Sequence, residues 1–296
     1  MVSIDRSSSR YVGRFAPSPT GPLHFGSVVA AVASYLQARS RGGRWIVRIE
    51  DIDPPREEPG ATSAILKTLD ELGLEWDGAV RYQSHMSASY EYALERLQSS
   101  HMTFACTCSR KKLVRGRYPG TCRDAITKDL TGKSIRVKVD GSEIAFNDLL
   151  QGHYSQNIEE IIGDYIVKRA DGFYAYHLAV VVDDAADGVS EIVRGLDLLS
   201  STPRQIHLQN LLGLTTPSYA HIPLVLSQSG TKLSKQTAAP AIDLASSCAV
   251  LIRALEFLQQ APPPSLYQQT RNEIIQWAIS NWNIAAVNGI SRAYPN

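Results

Sequence analysis

A histidine, a glycine and a serine close a stiff loop in the run Arg14-Phe-Ala-Pro-Ser-Pro-Thr-Gly-Pro-Leu-His-Phe-Gly-Ser27. Tyr11 to Phe15 predict a short strand, after which Pro17, Pro19, Gly21 and Pro22 impose an irregular loop. Val28 to Leu36 predict a buried helix whose Ala and Val residues allow close packing. Strand, loop and helix N-terminus together make a place where an α/β sheet receives a phosphate, because unpaired backbone N–H groups point outward there. His24 can donate to a phosphate oxygen, and Gly26 lets a base or phosphate approach the backbone. A lone H-x-G would read better as a capping histidine; Arg14, the paired prolines and the tight spacing favour nucleotide chemistry. A second run, His221-Ile-Pro-Leu-Val-Leu-Ser-Gln-Ser-Gly-Thr-Lys-Leu-Ser-Lys-Gln236, predicts an apolar strand, a Gly turn and a loop with two lysines three apart. Such a loop can fold over a triphosphate, with Lys232 and Lys235 countering charge that moves toward a leaving pyrophosphate. Standing alone it would read as a solvated basic loop.

Composition bounds the rest. The 296 residues leave room for one large domain with an insertion or for two domains, and 44% hydrophobic residues can fill a core. No apolar run approaches the ~20 residues of a membrane span, and residues 1–10 lack the apolar stretch of a signal peptide, so a flexible tail is expected there. A net charge of +1 provides no global field for nucleic acid, so an RNA partner must be met by local patches. Three of the four cysteines, Cys106, Cys108 and Cys122, lie close together, which fits a metal site in a reducing cytoplasm better than a disulfide frame. Tetrahedral zinc wants four ligands, and these thiols supply three. Beside them stand Arg110, Lys111, Lys112, Arg115 and Arg117, which suit an RNA backbone and a solvated loop equally well. Cys248 stands apart, in a predicted helix, as packing.

The elements that must position these groups alternate. Arg44 to Ile49 predict a strand ending at Glu50, Ala61 to Leu72 a helix stopped by Gly73, and Ser87 to Leu97 another helix. Ile135 to Val139 and Glu143 to Phe146 predict strands of an insertion. Asp164 to Asp184 predict a return to the sheet, with the apolar run Leu178 to Val182 as a buried strand. Ser200 to Leu212 predict a helix, and two more are expected near Ala241–Gln260 and Leu266–Asn281, separated by three prolines. The fold class that follows is α/β, a doubly wound, Rossmann-like parallel sheet. Its expected parts are a catalytic first half over 11–102, a cysteine-bearing insertion over 103–163, a second half with the lysine loop over 164–236 and a helical segment over 237–296.

Together the two motifs resemble the signatures of class I aminoacyl-tRNA synthetases: His24-Phe-Gly-Ser27 their HIGH element and Lys232-Leu-Ser-Lys-Gln236 their KMSKS loop. Residues 14–21, R-F-A-P-S-P-T-G, match the glutamyl and glutaminyl branch letter for letter. That resemblance implies ATP with Mg2+, and an ATP site of Pro17, His24, Gly26, Ser27, Lys232, Ser234 and Lys235. It implies a glutamate site of Arg14, Phe15, Ala16, Pro17, Ser18, Glu50, Tyr176 and Arg194. The chemistry agrees: glutamate brings two carboxylates and an ammonium, for which arginine forks and one anion are the natural partners. Opposing this are ion pairs of Arg194 with Asp183, Asp184 or Asp187, and of Glu50 with Arg48 or Arg56. Tyr118 matches the position of the family's fourth, phenolate zinc ligand, implying one structural zinc ion.

Only about sixty residues follow Gln236, too few for the anticodon-binding region of full glutamyl-tRNA synthetases. With the cysteine–tyrosine cluster, this makes the chain similar to the truncated, queuosine-modifying glutamyl-Q tRNA(Asp) synthetases. The resemblance implies glutamyl-adenylate formation and transfer to queuosine in the anticodon loop of tRNA(Asp), by a monomer. Two alternatives stay open: a charging glutamyl enzyme without its anticodon domain, and a catalytically silent zinc-bearing RNA binder. Intact Arg14, His24, Glu50, Lys232 and Lys235 speak against silence.

Overall fold

A computed structural model of the chain describes residues 11–125, 131–226, 242, 247–287 and 292–293. In chain order its main elements are β1 (Val12–Phe15), α1 (Phe25–Ser40), β2 (Arg44–Ile49), α2 (Ala61–Glu71), β3 (Arg81–Tyr82), α3 (Ser87–Ser99) and β4 (Thr103–Cys106). There follow β5 (Ser134–Val137), β6 (Glu143–Asp148), β7 (Gly152–Asn157), the single turn α4 (Ile158–Ile161), β8 (Tyr165–Lys168) and α5 (Tyr176–Ala186). The chain continues through β9 (Glu191–Gly195), α6 (Thr202–Leu212), β10 (Ser218–Ile222), α7 (Ser247–Phe257) and α8 (Arg271–Asn281).

The first motif folds as its residues require. The buried strand β1 lies parallel to β2, from Val12 opposite Arg44 to Phe15 opposite Val47, and β2 lies parallel to β3. After the proline loop, α1 returns across the sheet buried on nearly every side, as an all-round apolar helix must be. The second half repeats the pattern, with β9 parallel to β10 from Glu191–Ser218 to Gly195–Ile222. The halves meet where the Ser190 N–H donates to Val12 O at 3.0 Å, which sets the order β3-β2-β1-β9-β10. The winding reverses between β1 and β9, and open α/β sheets take their ligands in the crevice at such a switch point. Residues 103–168 add the antiparallel sheet β4-β5-β8 and the hairpin β6–β7, whose β6 lies parallel to β10 where Asp148 meets Tyr219.

One element differs in kind from the sequence reading. Leu178 to Val182 belong to helix α5, not to a strand. Leu178 to Val181, Asp183 and Asp184 are all buried there, and a continuous apolar run does not tell a buried strand from a buried helix. Leu266–Asn281 also divides into a 3-10 turn over Pro264–Gln268 and helix α8. Thr270 caps α8, accepting from the Glu273 N–H while the Glu273 carboxylate accepts from the Thr270 N–H. Among the described residues no helix is long and apolar enough to cross a membrane.

The two layers are locked by charge as well as by apolar packing. Arg48, on β2 and 1% exposed, donates to Asp184 at 2.6 Å and to Asp187 at 3.0 Å, and its Nε lies 3.7 Å from Asp183. Removing one partner from such a buried group typically costs about 3–5 kcal/mol, whereas exposed pairs contribute roughly 0–1 kcal/mol. Arg48→Met is therefore expected to lower the unfolding free energy in urea by about 3–5 kcal/mol, and Arg56→Met, at an exposed pair with Asp53, by at most about 1 kcal/mol.

Candidate active site

At the carboxyl ends of β1, β2 and β9 lies a cleft of about 890 Å³. Arg14, Phe15, Ala16, Pro17 and Ser18 line it from the first strand and loop, and His24, Gly26 and Ser27 from the start of α1. Glu50 enters from the end of β2, Tyr176 from the first turn of α5 and Arg194 from β9. Every expected ATP and glutamate residue in the described chain therefore faces one space. Lys232, Ser234 and Lys235 lie outside the described residues.

His24 is the N-cap of α1. Its Nδ1 accepts from the Ser27 N–H at 3.2 Å and its Nε2 lies 3.1 Å from Ser27 Oγ. A Cβ on residue 26 would stand 3.1 Å from His24 Cε1 and 3.2 Å from Nδ1, so glycine lets the ring lie against the helix start. One side chain thus caps α1 and lines the cleft. The proline loop is fastened to β2 where the Glu50 N–H donates to Pro17 O at 3.0 Å.

Charge in the cleft is unevenly balanced. Arg14 donates to both oxygens of Asp184, at 3.3 and 3.5 Å. Arg194 makes no pair with Asp183, Asp184 or Asp187; those acids are bound by Arg14, Arg48 and Arg81. Its partners are neutral: Nε donates to His221 at 3.0 Å, and Nη2 to Thr202 at 2.8 Å and Gln205 at 2.7 Å. Among the described residues Arg194 Nη1 is buried without a hydrogen-bond partner, and so is Glu50 Oε1. Arg48 stands 3.9 Å from that oxygen, too far to satisfy it. Burial pushes the Glu50 carboxyl up to about 7 against the pull of Arg48 and Arg14. A buried carboxyl and a buried guanidinium nitrogen, each without a hydrogen-bond partner in one cleft, are complementary to a ligand that carries both an ammonium and a carboxylate.

The cysteines meet at the end of β4. The Sγ atoms of Cys106, Cys108 and Cys122 all lie within 4.8 Å of one another, with Cys108 and Cys122 at 3.5 Å. Zinc–sulfur bonds of about 2.3 Å in a tetrahedron place sulfurs roughly 3.8 Å apart, so the set is suited to one metal ion. The buried Tyr118 hydroxyl accepts from the Cys122 N–H at 2.8 Å and lies 3.7 Å from Cys106 Sγ. The Arg136 guanidinium covers the Tyr118 ring at 4.0 Å. A hydrogen bond from the Thr107 backbone draws the Cys122 thiol down to about 7. Of the neighbouring cations, Lys111, Lys112 and Arg115 are exposed, while Arg117 donates to Glu159 O and serves the fold.

Sequence reasoning missed Asp184 and Arg48 as the frame behind Arg14, and His221, Thr202 and Gln205 as the frame behind Arg194. The only available signal was residue type, a buried-looking His221 beside an apolar run; partners 8 to 170 residues distant leave no local pattern.

A Rossmann-like parallel sheet with a cleft at its switch point and a helix starting at that cleft is the fold of a class I aminoacyl-tRNA synthetase catalytic domain. The family described as tRNA synthetases class I (E and Q), catalytic domain, matches residues 11–246, and the chain belongs to it. Glutamyl-Q tRNA(Asp) synthetase of Pseudomonas aeruginosa strain LESB58 is 51% identical over 282 residues, spanning 95% of this chain and 96% of its own length. The protein of the same name from Dechloromonas aromatica strain RCB is 49% identical over 290 residues, with the same two shares of 95% and 96%. A glutamate tRNA ligase from Elizabethkingia meningosepticum, crystallised in complex with its amino acid, shares the fold with a TM-score of 0.82 at 24% identity, over 97% of this chain and 67% of that one.

Because the Glu50 carboxyl lies near 7 when folded and near 4.5 when free, folding takes up a proton between those values. Its contribution is favourable below pH 4.5 and is lost as pH rises through 7. Glu50→Gln should therefore gain stability over the parent by roughly 3 kcal/mol across that window, with no further change above it, as read by urea denaturation at a series of pH values.

Proposed function

We propose that the chain activates L-glutamate with ATP and transfers it to queuosine at the wobble position of tRNA(Asp). The observation that carries the glutamate step is the pair of unsatisfied charges, Glu50 Oε1 and Arg194 Nη1, in one cleft. In this reading Glu50 takes the ammonium, Arg14 and Arg194 the carboxylates, and Tyr176 closes the side of the pocket. Phe15, Ala16, Pro17 and Ser18 shape its wall. The α-carboxylate attacks the α-phosphorus, pyrophosphate leaves, and a mixed anhydride remains. His24 and the α1 N-terminus, at Gly26 and Ser27, take phosphate charge, and Lys232, Ser234 and Lys235 act on the departing pyrophosphate. Alignment of two bound reactants can lower a barrier by about 7–11 kcal/mol, so no nucleophilic side chain is required. Mg2+ accompanying ATP adds counter-charge on the phosphates. A hydroxyl of the cyclopentene diol of queuosine then attacks the anhydride carbonyl, passing its proton to solvent as AMP leaves. One copy of the chain holds every residue named.

The reading of the acceptor is supported by the relatives at about 50% identity, which are named glutamyl-Q tRNA(Asp) synthetase and are matched over nearly their full length. An unpaired base in a loop can be splayed into a pocket of this kind. The insertion, 103–163, would carry the RNA-facing cations Lys111, Lys112 and Arg115, held in shape by one structural zinc ion on Cys106, Cys108 and Cys122 with Tyr118 as fourth ligand.

Labelled glutamate with ATP is expected to enter tRNA(Asp) bearing queuosine and not tRNA(Asp) from cells unable to make it. Label on tRNA(Glu) regardless of queuosine would instead mark a charging enzyme, and no glutamate-dependent exchange of pyrophosphate into ATP would leave only a silent RNA binder. For the metal, elemental analysis should find about one zinc per chain, lost in Cys122→Ser. Zinc retained at full affinity in Tyr118→Phe would assign the fourth position to water.

A further inference from the structure

We propose that Asp148 and His221 are positioning residues that fix Arg194 so that its unpaired Nη1 is presented to the substrate carboxylate. The inference rests on the reading of Arg194 as a carboxylate holder. Asp148, His221 and Arg194 form a buried chain, with the Asp148 and His221 side chains fully enclosed. Asp148 Oδ2 lies 2.6 Å from His221 Nδ1, and His221 Nε2 lies 3.0 Å from Arg194 Nε. Arginine nitrogens only donate, so His221 Nε2 must present a bare lone pair. The one ring proton of the neutral imidazole then sits on Nδ1 and is donated to Asp148. The carboxylate thereby selects the tautomer, and the tautomer selects the orientation of Arg194.

The rest of the guanidinium is fixed to match. Nη2 spends its two hydrogens on Thr202 and Gln205, and the plane lies 5.3 Å from the Tyr219 ring, itself stacked on His221 at 6.0 Å and 11°. Three of the five N–H groups are thus consumed on neutral acceptors, and the two on Nη1 are left. Asp148 is rigid for its own reasons. Its Oδ1 accepts from the N–H groups of Leu150, Gln151 and His221 at 3.0, 3.0 and 3.1 Å.

Asp148→Asn tests this without dismantling the corner, since the amide oxygen can still accept those backbone bonds. The amide N–H then faces His221 Nδ1, drives the ring proton to Nε2 and sets it against the Arg194 Nε–H. In glutamate-dependent pyrophosphate exchange the glutamate KM is expected to rise about tenfold or more with the ATP KM little changed, as for other outer partners of a binding group. His221→Phe, which removes the acceptor, should do the same. His221→Gln should restore the glutamate KM, because its oxygen can accept from Arg194 while its N–H donates to Asp148. Wild-type glutamate KM in both Asp148→Asn and His221→Phe, with Arg194→Lys raising it, would overturn the positioning role and leave the pocket reading intact. No effect of Arg194→Lys would instead remove the pocket reading. The ring 15N shifts of His221 in the unaltered protein are a check that needs no variant: a proton found on Nε2 would overturn the proposal.

Discussion

Arg48 brings a full positive charge to the interior end of β2, where Asp184, Asp187, Asp183 and Glu50 stand 2.6, 3.0, 3.7 and 3.9 Å from its nitrogens. A guanidinium so deep is tolerable only while those carboxylates remain, and they are tolerable only with it. Three of the four come from α5 and the residue that caps it, so the pairing fixes that helix against the sheet. Tyr176 and His177, on the first turn of α5, then line the cleft as a consequence. Asp184 also binds Arg14, so the same contact reaches the first motif. The cleft is in this sense the outer rim of a buried ion cluster.

That cluster distinguishes the two arginines of the pocket. Arg14 already faces a carboxylate, which stays ionised because Arg14 and Arg48 outweigh the effect of its burial. Arg194 is surrounded by a neutral imidazole, a hydroxyl and an amide, and the nearest carboxylate in its network, Asp148, reaches it only through His221. An incoming carboxylate meets a compensated cation at Arg14 and an uncompensated one at Arg194. At Glu50 the balance is reversed: burial holds the group near neutrality, and an approaching ammonium favours its ionised form. The pocket is poised to gain charge in matched pairs rather than singly.

Much of this is legible in the amino-acid sequence. Residues 14–27 carry both turn chemistry and helix-start chemistry, so strand, loop and helix follow from local rules alone. The C-x-C pair announces its convergence with Cys122 because short spacing limits where the sulfurs can be. What local rules could not supply was partner choice. Asp183, Asp184 and Asp187 were plausible partners for Arg194 by sequence distance, yet the helical path of α5 turns them toward β2 and β1. The same helix reads as a strand in sequence because burial on all sides erases its periodicity. His221 escaped notice since its function depends on Asp148, 73 residues earlier and on a different strand.

Asp148 joins two parts of the chain that sequence reading treats separately. It ends β6 in the insertion, yet it accepts from the backbone of β10 and stands behind a pocket residue of β9. The corner is held further where the Leu149 N–H donates to Tyr219 O at 2.9 Å and the Gln151 amide to His221 O at 2.8 Å. Each such bond contributes about 1 kcal/mol net, and several acting on one corner make sliding of the hairpin over β10 costly. The β6–β7 hairpin is therefore not an independent appendage: it is part of the wall that orients Arg194. A side chain held from three strands loses little freedom when it meets a ligand, so the ordering cost is met in folding rather than in binding.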